Sequence, residues 1–75
     1  MTENQVKIPV NKLREFRITP RISQYVLALN SGVKQSRISL IENYLVKPTE
    51  KEKIKISEAL NHQIEEIFPT NGTIN

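Results

Sequence analysis

The stretch ISQYVLALNSGVKQSRISLIEN, residues 22–43, carries the reading of the fold. Ser23 is a good N-cap, because its hydroxyl can accept a bond from a backbone N–H of the first helical turn. A helix is expected from about Ser23 to Leu29, with Leu27 packed inward. Asn30-Ser31-Gly32 follows as a tight turn, and Gly32 suits left-handed backbone. Ala28 is small and lies four residues before Gly32, which lets the flanking helices cross closely. The next helix is expected from about Lys34 to Asn43.

At about 100° per residue, a helical wheel sorts the residues of that second helix. Ile38 and Ile41 point toward the core. Gln35, Ser36, Ser39, Leu40 and Asn43 share the other side, with Lys34 and Arg37 on the flanks. An idle surface helix carries Lys and Glu outside; this one presents amides, hydroxyls and an apolar residue. Gln can bond adenine N6 and N7 together, Ser suits donors or acceptors on base edges, and Leu40 can meet a thymine methyl. Such short side chains let a helix approach the floor of a DNA major groove. Gln24, at the start of the preceding helix, lies where backbone N–H groups favour a phosphate; its amide can bond that phosphate or brace Gln35.

Outward from this pair the chain reads as scaffold. Residues 1–10 form an N-terminal arm. Asn11 is expected to cap a first helix with Leu13 and Phe16 on one face, and Thr19-Pro20 to end it, since Pro disfavours helical geometry in the residue before it. After a loop through Leu45, Val46 and Lys47-Pro48, Thr49 caps a fourth helix and Glu52 completes a capping box. Ile56, Leu60 and Ile54 are expected on its inner face. Asn61-His62 breaks it, a last short helix holds Ile64, Ile67 and Phe68, and Pro69 stops that helix. Residues 70–75 read as a flexible tail.

Seventy-five residues make one domain with a limited core. The chain has no cysteine, so neither disulfides nor thiolate metal sites staple it. No apolar run reaches membrane-spanning length and no signal segment opens the chain, so a cytoplasmic protein is expected. The net charge is +3, and it is unevenly spread: residues 1–48 hold eight Lys or Arg against three Glu, and residues 49–75 hold three Lys against five Glu. The basic excess therefore sits in the half with the helix pair, as a polyanion partner would require.

From Leu13 to Phe68 the chain resembles the lambda-repressor-like helix-turn-helix family, which includes phage repressors, Cro-type proteins and XRE-type regulators. The matching strings are LREFR, ISQYVLA, SGVKQSRISLIEN, KPT, EALN and IEEIFP. The resemblance implies an all-α bundle of about five helices whose third helix enters the major groove. It implies base contacts from Gln35, Ser36 and Leu40, beside which the wheel adds Ser39. It assigns Gln24 and Asn43 to phosphates and makes Arg17 and Glu42 an ion pair between the first and third helices. Lys34, Arg37, Arg21 and Lys47 are further phosphate candidates. The chain departs from the family at Arg21 and Tyr44, where Gly is frequent, at Lys34, where Ser or Thr usually caps, at Glu50 and Lys53, where Leu is common, and at His62, often Val.

These readings converge on a sequence-specific, double-stranded-DNA-binding transcriptional regulator, expected to be a repressor that binds a palindromic operator as a homodimer. Ile64, Ile67 and Phe68 are the candidate pairing surface, with core as the alternative for the same residues. No catalytic set, cofactor or metal site is expected: His62 has no second imidazole, and no nucleophile has a base beside it. The rival reading is an antitoxin or other protein-binding module of the same fold, docking a partner protein through Tyr44-Leu45-Val46 or the last helix.

Overall fold

The computed structural model describes residues 10–69. The expected arm, apart from Val10, and the expected tail lie outside them. Five helices follow one another: α1 (Leu13–Ile18), α2 (Gln24–Ser31), α3 (Gln35–Glu42), α4 (Glu50–Leu60) and α5 (Ile64–Ile67). There is no strand among the described residues, and no helix there is long and apolar enough to cross a membrane.

The core is built from every helix. Leu13, Leu27, Ile38, Ile41, Ile56 and Ile67 are fully enclosed, and Val33, Leu60 and Phe68 are nearly so. Phe16, Ile22, Ala28, Val46, Ala59 and Ile64 pack around them. α2 lies against both α3 and α4, α1 against α3, and α5 against α4. The N–H of Lys12 donates to the Ile67 carbonyl at 2.8 Å, which ties the start of α1 to the end of α5.

Asn11 does more than cap. Residue Lys12 occupies the N-cap position and makes no side-chain cap bond. The buried Asn11 side chain accepts from the Leu13 N–H at 2.9 Å and donates to the Ile41 carbonyl at 3.0 Å, so it also pins α1 to the end of α3. Ser23 and Thr49 cap as expected, Thr49 with the full capping box of Glu52. At the start of α5 the Gln63 N–H donates to the Glu66 carboxylate at 2.8 Å.

Three helices close in the same way, each without glycine. Arg21, Tyr44 and Asn61 have φ of 63°, 59° and 62°. The Arg21 N–H bonds the Ile18 carbonyl and the Ile22 N–H bonds that of Arg17; the Tyr44/Leu45 and Asn61/His62 pairs repeat the pattern onto Ile41/Leu40 and Glu58/Ser57. These are Schellman closures, which need a left-handed residue and usually take Gly.

Four expectations are corrected here. Thr19 is helical (φ −54°, ψ −48°) despite preceding proline; α1 ends because Pro20 has no N–H to continue the ladder and Arg21 turns the backbone over. α2 runs two residues past Leu29, so only Gly32 makes the turn. Ile54 is 43% exposed rather than on the inner face of α4. Ile67 and Phe68, offered as a pairing surface, are 0% and 4% exposed in the single chain. α5 is only one turn long and buries its apolar residues beneath α4, so they are not presented to a partner; Ile64 is half-buried against the same core.

Candidate nucleic-acid interface

Gly32 sets the angle between α2 and α3. Its φ is +77°, and its N–H closes α2 onto the Ala28 carbonyl at 2.9 Å. A Cβ placed there would meet nothing within 4 Å, so the requirement for glycine is conformational and not steric crowding. The Val33 N–H donates to the Ser31 hydroxyl at 3.1 Å, and the buried Val33 side chain anchors the turn to the core. Lys34 enters α3 with extended backbone and no side-chain cap.

The face of α3 away from the core carries no charge. Gln35, Ser36 and Asn43 are exposed, Leu40 is 36% exposed, and Ser39 is half-buried among them. The Asn43 amide donates to the Ser39 carbonyl at 2.8 Å, which caps the helix end from outside. Lys34, Arg21 and Lys47 are exposed, Lys34 just before α3, Arg21 in the turn before α2 and Lys47 in the loop before α4.

Behind it, one carboxylate ties three helices. Glu42 is 6% exposed. Arg17 donates to it through Nε and, at 3.0 Å, through Nη2, and its Nη1 reaches the Ile22 carbonyl at 2.8 Å. Gln24 Nε2 donates to the same carboxylate at 3.1 Å. Glu42 is thereby neutralised and does not oppose a polyanion. The Gln24 amide nitrogen braces Glu42 and not Gln35; no bond joins the two glutamines among the described residues.

Arg37 is also held. Its Nε and Nη2 fork onto the two oxygens of Glu52, both at 2.8 Å. Oε1 of Glu52 further accepts the Thr49 N–H at 2.9 Å. The Arg37 bonds, foremost, hold the Glu52 carboxyl below its ordinary range, and the Glu52 bond raises Arg37 in turn. The guanidinium expected on a phosphate is thus a tie between α3 and α4. Glu52 has a recognisable capping role in sequence, but its second role needs α3 and α4 to be placed side by side, which no spacing within either helix indicates.

The helix-turn-helix family matches residues 13–67. The crystal structure of the restriction-modification controller protein C.AhdI from Aeromonas hydrophila superposes with a TM-score of 0.73 at 30% identity, over 76% of this chain and 86% of that one. No curated protein is similar enough to the chain to count as a relative. A matched segment that spans α1 through α5, with the glycine turn and the uncharged outer face of α3 in place, leaves one assignment: the chain belongs to the lambda-repressor-like (XRE-type) helix-turn-helix family of DNA-binding transcriptional regulators.

Proposed function

We propose that this protein is a transcriptional repressor that binds a palindromic operator as a homodimer, with α3 in the major groove. The observation that carries the reading is the outer face of α3: Gln35, Ser36 and Leu40 are exposed together, with Ser39 between them and no carboxylate among them. These groups match base edges, and a helix with side chains is about as wide as the groove that receives it. Asn43, Gln24, Lys34, Arg21 and Lys47 are the proposed phosphate contacts. The controller role of the structural relative supports a regulatory protein. Two-fold pairing is proposed because one helix reaches only a few base pairs.

Selection of bound duplexes from a random pool tests this directly. The expected product is a two-fold symmetric site, bound with a steep salt slope. On that site Gln35→Ala is expected to lose ~1–3 kcal/mol of discrimination at one base pair per half-site. Equal affinity for all duplexes would refute the reading. It would favour the protein-binding alternative, for which Tyr44 and Leu45, 46% and 63% exposed, offer an apolar patch.

A further inference from the structure

A cleft of about 420 Å³ opens where the chain enters α1 and leaves α5. Small-molecule sites occupy ~300–1,000 Å³, so it has the size of one. Its walls are largely apolar: Val10, Pro48 and Pro69 are half-buried, and Phe68 is nearly enclosed. Asn11 also lines it, but its side chain is spent on the Leu13 N–H and the Ile41 carbonyl, and its own carbonyl accepts from the Tyr44 hydroxyl at 3.3 Å. The charged groups of the cleft are Lys47, Lys53 and Glu50.

Lys53 is out of the ordinary for its place. It lies three residues before Ile56 and seven before Leu60, both buried, and so shares their inner face of α4. Its side chain is only 23% exposed. A secluded ammonium group needs a close partner. Among the described residues the one carboxylate that reaches it is that of Glu50, at 3.3 Å, and the Glu50 side chain is itself 82% exposed and hydrated. Lys47 is exposed and pairs with no acid among the described residues. Two cations against one outward-lying carboxylate give the cleft a positive charge beside apolar walls.

We propose that this cleft binds a small organic carboxylate with an apolar body. The carboxylate sits on the ammonium groups of Lys53 and Lys47, and the apolar body lies against Val10, Pro48, Phe68 and Pro69. The bound anion replaces Glu50 as the partner of Lys53, and Glu50 turns to water. The site stands apart from the outer face of α3, and only Lys47 is also a proposed phosphate contact. It therefore does not depend on the DNA-reading function.

The test titrates octanoate, and octanamide as its neutral counterpart, onto the full chain and follows the backbone amides by NMR. Octanoate is expected to bind saturably, with shifts centred on Asn11, Lys53 and Phe68. Octanamide is expected to bind about tenfold or more weakly, the loss of one charge-assisted hydrogen bond. Lys53→Leu suits an inner-face position, so circular dichroism is expected to show an unchanged fold, while the preference for octanoate over octanamide disappears. Glu50→Gln removes the competing carboxylate and is expected to tighten octanoate binding. Equal affinity for the two probes, or an unchanged preference in Lys53→Leu, overturns the proposal. Weaker or unaltered octanoate binding in Glu50→Gln overturns the exchange of partners on Lys53. Shifts centred on the exposed Tyr25 and Leu29 would mark unspecific adsorption and also overturn the site. Absence of saturable binding overturns it too; nuclear Overhauser contacts between Ile8 and Phe68 in the probe-free protein would then assign the cleft to the residues before Val10.

Discussion

Removing the guanidinium of Arg17 tests how much of this fold hangs on Glu42. Arg17→Ala deletes two bonds to a carboxylate whose side chain is 1% exposed, together with the bond to the Ile22 carbonyl. Only the 3.1 Å bond from Gln24 remains on Glu42. Stranding one member of a buried ion pair costs ~3–5 kcal/mol. A chain of this length has a total stability of roughly 4–11 kcal/mol at about 0.05–0.15 kcal/mol per residue. The variant is therefore expected to lose about half of its stability, with Tm lowered by at least about 12 °C at ~4–8 °C per kcal/mol. Urea denaturation followed by far-UV circular dichroism measures the loss. Arg17→Met combined with Glu42→Leu supplies the control: with no stranded charge, the pair is expected to be far less destabilised than Arg17→Ala alone. The reasoning is refuted if Arg17→Ala costs under about 1 kcal/mol, or if the double variant shows the plain sum of the two single losses.

Further expectations follow from single residues. Ser57 is 2% exposed and its hydroxyl has no hydrogen-bond partner among the described residues; Ser57→Ala is expected to stabilise by about 1 kcal/mol in thermal unfolding, and a loss would show that the hydroxyl is satisfied. Gly32→Ala is expected to cost about 1–2 kcal/mol through its positive φ alone, whereas Arg21→Gly is expected to stabilise by about 0.5–1 kcal/mol at a position with the same backbone need. Equal effects of the two changes would contradict the conformational argument. Arg37 holds the Glu52 carboxyl below its ordinary range, so the folded state binds that proton less readily than the unfolded chain does. The stability it contributes is present above the unfolded value near ~4.3 and is lost as pH falls through the lowered folded value. Glu52→Gln is expected to flatten the acid limb of a urea-midpoint profile against pH, and an unchanged limb would assign that slope to other carboxylates.

Much of the architecture was legible because it rests on local rules. Ser23, Gly32 and Thr49 mark helix ends through bonds within a few residues, and Ile38 with Ile41 and Ile56 with Leu60 mark inner faces by spacing along one helix. The outer face of α3 follows from the same wheel, so the proposed base-reading residues could be named before their surroundings were known. α1 ends at Thr19-Pro20 as its sequence indicates, although Thr19 keeps helical dihedrals before proline, whereas α2 continues to Ser31, two residues past the expected end.

Side-chain partners across helices belong to the tertiary structure alone. Asn11 bonds the Ile41 carbonyl thirty residues away, Arg37 is captured by Glu52, and Gln24 turns to Glu42 and not to Gln35. Burial divides the last helix in the same way: Ile67 and Phe68 have the composition of either a core or a pairing surface, and only their place beneath α4 decides for core. The physical reason is range. Capping and amphipathic spacing act within one helical turn and are written in consecutive residues. Ion pairing and burial depend on distances that arise only when helices far apart in sequence have packed.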